Sequence, residues 1–360
     1  MTTAPSTPGA HTHAEILSQP ACWKECFQAL DEKDQLGQIY RRFPTRSDWL
    51  FVGCGTSYYI ALAAAASWTK LTGLRARAVP ASDLLLFPGL LLSGPEPCQP
   101  VLISRSGHTS EILKVAEYLE LKENIRTLAV SCATHQPLEE ISTATLYLLP
   151  ADEQSTVMTR SFTSMLLGLQ ALGAVYGQQT GFAEALRRLP DQGQKVLDPL
   201  PSRMQEYTQA HGFADYAFLA QGPLFGVANE AMLKVKEMSC SYAQAFHTLE
   251  FRHGPKAIVS ADTLITFLLS ETGFEAESEV LQEVKDLGGT TLVVTNVADG
   301  AVRRAADFLV ELNLDVPEYA RLAAYALPGQ LLGYFTGLKK GFDPDRPRNL
   351  SRVVILNDKD

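Results

Sequence analysis

Short unbroken apolar runs alternate along this chain with longer segments whose apolar residues recur every three or four positions. The first run is Trp49-Leu50-Phe51-Val52-Gly53. Its length and lack of polar alternation suit a strand buried on both faces of a parallel sheet. It passes through Cys54-Gly55-Thr56-Ser57 into an alanine-rich stretch that predicts a helix over 58–71. The order returns with strands at 100–104, 126–131 and 145–149, and helices at 110–121, 138–142 and 158–176. Pro190, Pro199 and Pro201 punctuate a linking region with a helix at 203–211. The plan then restarts with strands at 215–221, 263–269, 290–295 and 308–312, and helices at 225–239, 275–287 and 319–339. Strands and helices alternating at these lengths predict an α/β fold, with parallel sheets covered by helices on both faces. The two halves share a plan and show no evident sequence repeat.

The ends read differently. Residues 1–13 are polar and are expected to fray, and 15–30 reads as a helix interrupted by Pro20. The last segment holds Pro344, Pro347 and the apolar Val353-Val354-Ile355-Leu356, and is expected to reach back across the other domain. The organisation expected is an N-terminal helical segment (1–35), a first domain (36–190), a second domain (191–340) and a tail (341–360).

Composition narrows the function classes. Hydrophobic residues make up 46% and charged residues 20% of the 360, an ordinary globular balance. Lys and Arg total 31 against 40 Asp and Glu. No local basic patch offsets that net charge of −9, so no nucleic-acid partner is expected. No apolar run approaches the roughly 20 residues of a membrane span, and 84–92 is broken by Pro88 and Gly89. Without an apolar leader, the expectation is a soluble, cytoplasmic chain with no membrane partner. The six cysteines are scattered, and the Cys22–Cys26 pair has no matching second pair. That argues against a zinc site and for reduced thiols, and no metal or cofactor is expected.

Four segments carry candidate chemistry. Ser104-Arg105-Ser106-Gly107-His108-Thr109 places three hydroxyls and a glycine where a strand hands over to a helix. Unpaired N–H groups and the helix dipole make such a place an anion site, typically for phosphate; a hydroxyl-rich N-cap without a ligand has the same composition. Gly53–Ser57 is a second such turn, lacking the nucleotide P-loop and full dinucleotide patterns. It reads either as a close approach to a ligand or as a tight turn, with Cys54 a small buried residue. Lys234 and Glu237 lie three apart on a predicted helix and share a face. They are either a solvated pair or, among Ala231, Met232, Leu233, Val235 and Met238, a partly buried carboxylate of raised pKa able to shuttle protons. His253, in Glu250-Phe251-Arg252-His253-Gly254-Pro255, is structural or titrates where it can act on a sugar ring oxygen. His247 is read as surface or core.

Together these segments resemble the SIS (sugar isomerase) domain family, in the arrangement of the isomerase half of glutamine–fructose-6-phosphate aminotransferase. The resemblance runs from about Glu15 to Val354. It rests on Cys54-Gly55-Thr56-Ser57-Tyr58, Ser104–Thr109, Leu233-Lys234-Val235-Lys236-Glu237, His253-Gly254-Pro255 and Asp345-Arg346-Pro347-Arg348-Asn349-Leu350, in order and at family spacing. It implies two doubly wound, flavodoxin-like sheets. Ser104, Arg105 (through its backbone), Ser106 and Thr109 would hold a sugar phosphate, and Thr56 and Ser57 sugar hydroxyls. Glu237 would move a proton between C1 and C2, Lys234 would assist at a neighbouring oxygen, and His253 would open the ring. The family supplies that histidine from the partner subunit, which implies a homodimer; no cofactor is implied.

The chain departs from the family in four places. It begins Met1-Thr2 without an N-terminal cysteine nucleophile, so glutamine-dependent amination is expected to require a separate partner. Arg352 stands where the family has an imine-forming lysine, and a guanidinium is no useful nucleophile; Lys339 and Lys340 are the nearby alternatives. Met158 replaces a hydroxyl residue, leaving Thr159 for the 2-position. His108 replaces an acidic loop residue. The leading expectation is a phosphosugar aldose–ketose isomerase. The rivals are an amino-sugar-phosphate deaminase–isomerase releasing ammonia and a non-catalytic sugar-phosphate sensor.

Overall fold

The structure is a computed structural model that describes residues 7–43, 48–93 and 98–356. Five strands, β1 (Asp48–Gly53), β2 (Arg75–Pro80), β3 (Gln99–Ile103), β4 (Leu128–Ser131) and β5 (Ala144–Tyr147), form one sheet in the order β2-β1-β3-β4-β5. Five more, β6 (Asp215–Ala220), β7 (Tyr242–His247), β8 (Thr263–Leu268), β9 (Thr290–Thr295) and β10 (Phe308–Glu311), form a second in the order β10-β9-β8-β6-β7. Every pairing is parallel. Read from its first strand outward, each sheet has the flavodoxin-like order 2-1-3-4-5, and the α/β expectation holds. That order reverses chain direction between β1 and β3, and again between β6 and β8. At such a switch point the loops diverge and leave a crevice at the C-terminal strand ends.

The apolar runs form the inner strands because both faces are covered. Leu50, Val52, Leu102 and Ala129 pack with Ile112, Val115 and Leu119. Leu219, Ile265, Phe267 and Val293 pack with Val280, Leu281 and Val284. The two strands absent from the sequence reading, β2 and β7, are edge strands. β2 carries Arg75 and Arg77, both strands are partly exposed, and neither presents an unbroken apolar run. The region around Pro190 carries one correction, to its form: it is helical, part of the helix Thr180–Leu197, and the two compact units divide between Pro190 and Asp191. The proline removes one helical hydrogen bond, yet Leu186 and Leu189 before it and Val196 and Leu197 after it are buried and keep the segment helical.

The chain divides into two compact units. One, the first-sheet unit, comprises the described residues within 21–153, 160–190 and 351–360; the other, the second-sheet unit, those within 1–20, 154–159 and 191–350. The N-terminal segment is a second correction. Residues 1–6 lie outside the described residues, and from Ala10 the chain is helical to Leu17. Gly9 N–H donates to Asp343 Oδ1 (2.7 Å), Thr12 N–H to Asp345 Oδ1 (2.8 Å), and His13 stacks on Tyr334 at 5.0 Å. A polar segment is thus held by the acids of a later loop. Within the tail, residues 351–356 belong to the first-sheet unit, where Ser110 N–H donates to Val354 O (3.2 Å).

Candidate functional site

β1 and β3 pair with Val52 opposite Leu102, so their loops leave side by side at the first switch point. In the β1 loop a Cβ on Gly53 would stand 2.3 Å from the backbone of Ser57, so only glycine lets the helix Thr56–Thr72 start this close to the strand. Gly55 has φ 53° and ψ −125°, and a Cβ there would meet open space. Its constraint is conformational. Thr56 and Ser57 are buried in the first helical turn. Burial, with Glu111 adding to it, pushes the Cys54 thiol up to about 12, so Cys54 is no thiolate nucleophile.

The β3 loop turns back on its own hydroxyls. Ser104 Oγ and Thr109 Oγ1 are 3.3 Å apart, Gly107 N–H donates to Ser104 Oγ (3.1 Å), and His108 N–H to Ser106 Oγ (3.2 Å). Thr109 is the N-cap residue of the helix Ser110–Glu117 but makes no side-chain cap bond. Its hydroxyl faces the loop, 3.3 Å from Ser104 Oγ. Gly107 has φ 68°, and a Cβ there would collide with the amide of Gln136. Gln136, absent from the sequence reading, caps the helix Pro137–Ile141 and braces the loop from beneath.

Arg105 has a structural role beside the backbone role expected of it. Its carbonyl accepts from Cys132 N–H (3.0 Å) and Ser131 Oγ (3.1 Å). Its buried guanidinium lies 3.4 Å from Glu153 and donates to Arg352 O at 3.2 Å. Arg352 in turn pairs with Asp152 at 2.7 Å, half exposed. The loop and the tail are therefore joined by a buried cation that holds a main-chain carbonyl. His108 is exposed.

In the second-sheet unit the helix Leu224–Ser239 carries the other set. Lys234 is fully buried, 2.5 Å from Glu237 Oε2 and 3.2 Å from Glu230 Oε1. Glu230 is fully buried, while the Glu237 side chain keeps 18% exposure. Burial works against the Lys234 ammonium, but Glu230 and then Glu237 outweigh it and raise its pKa above the ordinary lysine value. The sequence reading missed Glu230, although it lies four residues before Lys234 on the same face. Neighbouring glycines create this burial. A Cβ on Gly329, Gly333 or Gly337 would stand 2.4 Å from Ala231 Cβ, 2.7 Å from Lys234 O or 2.3 Å from Met238 O. One ridge of glycines at i, i+4 and i+8 on the helix Leu322–Lys339 thus brings two backbones together. Thr159 is buried, its carbonyl accepting from Gln330 Nε2 (3.2 Å). His253 is exposed after the turn Glu250–Arg252. His247 stacks on Phe225 at 3.7 Å, and burial holds its pKa below the ordinary histidine value.

The second sheet has its own switch point, with a cavity of about 170 Å³ beside it. Here the chain supplies the anions itself. Glu277 accepts from Ser270 N–H (2.8 Å), and Glu318 from the N–H groups of Glu271 (2.7 Å) and Thr272 (3.2 Å). Carboxylates occupy the donors that a phosphate needs, so the two crevices are not chemically equivalent. Among the described residues no cluster of three or more His, Cys, Asp or Glu is placed to hold a metal ion, and no helix is long and apolar enough to cross a membrane.

Comparison with known proteins agrees with this geometry. The SIS domain model matches residues 46–174 and 216–332. The glutamine–fructose-6-phosphate aminotransferase (isomerizing) of Pyrobaculum aerophilum is 28% identical over 369 residues, covering 98% of this chain and 59% of that protein. The chain thus spans little more than half the length of the curated relatives it matches. Among solved structures, the glucosamine-6-phosphate deaminase of Thermotoga maritima superposes with a TM-score of 0.79 at 28% identity, covering 96% of this chain and all of the other. The tagatose-6-phosphate ketose/aldose isomerase of Escherichia coli shares the fold, with a TM-score of 0.83 at 22% identity and 98% of each chain covered.

Proposed function

This chain belongs to the SIS domain family, and from that premise we propose that it is a phosphosugar isomerase interconverting an aldose or amino-aldose phosphate and a ketose phosphate. The observation that carries the reading is the buried Glu230–Lys234–Glu237 group, which leaves one carboxylate, Glu237, partly open beside a fixed cation. In the open-chain aldose the C2 proton is acidified by the C1 carbonyl. Glu237 takes that proton and returns it to C1, the hydroxyl proton passes from O2 to O1, and the buried Lys234 ammonium acts through Glu237, holding its carboxylate in place. A positioned carboxylate performs both carbon proton transfers. Ser104, Ser106 and Thr109 hold the phosphate, with Arg105 bracing the loop to the tail. Thr56 and Ser57 hold sugar hydroxyls, and Thr159 stands near the 2-position. His253, supplied by the partner subunit of a homodimer, opens the ring. Arg352 forms no imine and acts through its pairing with Asp152.

The similarity to a deaminase along the whole chain favours a second reading on the same groups. With an amino group at C2, proton transfer from C2 to C1 gives an enolamine and then a C2 imine. Water adds to that imine, and ammonia leaves with formation of the ketose phosphate. A panel of hexose and hexosamine 6-phosphates, scored for ketose and for ammonia, tests both. Ketose without ammonia supports isomerisation. Ammonia matching ketose from hexosamine phosphates alone supports deamination. Binding without either product makes the chain a sensor and ends both enzymatic readings.

A further inference from the structure

The lysines Lys339 and Lys340, the alternatives raised by the loss of the family lysine, close the helix Leu322–Lys339 in a specific way. Phe342 N–H donates to Gly337 O (2.9 Å), Gly341 N–H donates to Leu338 O (3.0 Å), and Gly341 has φ 78°. This is a Schellman ending, with Lys340 as the C-cap residue. The two amines then meet different fates. Lys339 Nζ donates to Thr208 O (2.8 Å), Gln209 O (3.2 Å) and His211 O (2.7 Å). It caps the carbonyl end of the helix Leu200–Ala210, where a cation is stabilised. Three main-chain acceptors use its three protons, so it is unsuited to act as a nucleophile.

Lys340 Nζ donates to Ser241 Oγ at 2.6 Å. That hydroxyl lies 2.6 Å from Ser239 Oγ, which donates to Val235 O at 2.6 Å. Lys340 is thereby held in place by a chain of hydroxyls, and among the described residues no carboxylate pairs with it. Although the side chain reaches solvent, partial desolvation draws its pKa below the ordinary lysine value, with Cys240 opposing. Beside it opens a cavity of about 310 Å³, at the N-terminal end of β6 and within the range of small-molecule sites. Among the described residues no Asp or Glu lines that cavity, in a chain of net charge −9. Its walls are flat rings. His211 and Phe213 are near-parallel at 6.1 Å, and Phe213 meets Tyr216 edge-on at 6.0 Å. Thr208 and Thr336 add hydroxyls.

We propose that this cavity binds a small organic anion carrying a flat ring, with Lys340 as its charge partner and the Phe213 and Tyr216 rings as its walls. The site lies at the end of the second sheet opposite the C-terminal strand ends, and the inference does not depend on the reaction proposed above. A phosphate and a carboxylate share the required chemistry. The full chain is therefore titrated calorimetrically with phenyl phosphate and with benzoate, and with phenol and inorganic phosphate as the isolated halves. Saturable binding of one aryl anion, about tenfold weaker in Lys340→Gln, unchanged in Ser106→Ala and retained in Lys340→Arg, is the expected result. The stronger of the two anions identifies the headgroup. No saturable binding of either, or equal binding by Lys340→Gln, overturns the proposal. So does loss of binding in Ser106→Ala, which would assign the anion to the β3 loop. Lys340 is an exposed side chain, so the substitutions are expected to leave thermal unfolding unchanged, and that is measured on the same samples.

Discussion

Lys234 keeps a charge where no water reaches it because two carboxylates stand within 3.2 Å. That balance makes Glu237 the residue whose replacement is most informative. Glu237→Gln preserves size and binding but cannot accept the proton. Exchange of solvent protons at the carbon next to the carbonyl is expected to fall about a hundredfold or more, read by loss of deuterium incorporation with substrate affinity intact. Unchanged exchange removes Glu237 from the chemistry. In the β3 loop, Ser106→Ala is expected to weaken binding of hexose 6-phosphates about tenfold while leaving free hexoses unaffected; equal weakening of both, by calorimetry, would mean that the loop does not read phosphate. A third residue sets a pH dependence. Burial raises the pKa of Glu277 above the ordinary carboxylate value, Ser270 opposes this, and Glu318 adds to it. Between the unfolded and folded pKa values the native chain holds a proton that the unfolded chain has lost, so stability falls as pH rises through that window. In Glu277→Gln the melting temperature should decline less steeply from pH 4 towards neutrality, and parallel curves would contradict the shift.

The element that positions the candidate base is a pair of helices rather than one. The helix Leu224–Ser239 buries Lys234 only because Gly329, Gly333 and Gly337 let the helix Leu322–Lys339 approach its backbone. Gly337→Ala sets two effects against each other. Alanine favours the helix by about 1 kcal/mol, but its Cβ would stand 2.3 Å from Met238 O, a main-chain atom that no rotamer change can move. Overpacking of this kind costs about 1–3 kcal/mol, so net destabilisation in urea unfolding is expected, and stabilisation would show that the helices have room to part. The inner strands and long helices were legible in the sequence because their apolar periods are long and uninterrupted. β2 and β7 were not, because edge strands bury less and need no such run. Pro190 misled for the opposite reason, since tertiary burial of its neighbours outweighs one lost hydrogen bond.

At the scale of the whole molecule, the exposed His253 gives the homodimer reading a direct test. Glu237→Gln and His253→Ala chains are each expected to be inactive. If the histidine crosses to the partner, mixing them after dissociation restores activity to about a quarter of the wild-type level, because half the dimers then hold one intact site in two. No recovery, with mixed dimers demonstrated, would place both groups in one chain. The two doubly wound halves, the hydroxyl loop after β3 and the spacing of Lys234 and Glu237 are properties of sequence alone, since period, turn chemistry and helical pitch act over a few residues. The tertiary structure alone decided which crevice has its loop donors taken by the chain's own carboxylates. Glu318 lies 46 residues beyond Thr272, yet its carboxylate fills the second loop, and Arg352 lies 247 residues beyond Arg105, yet its carbonyl steadies the first. Local pattern carries no information about such partners, because only the folded chain brings them within hydrogen-bonding distance.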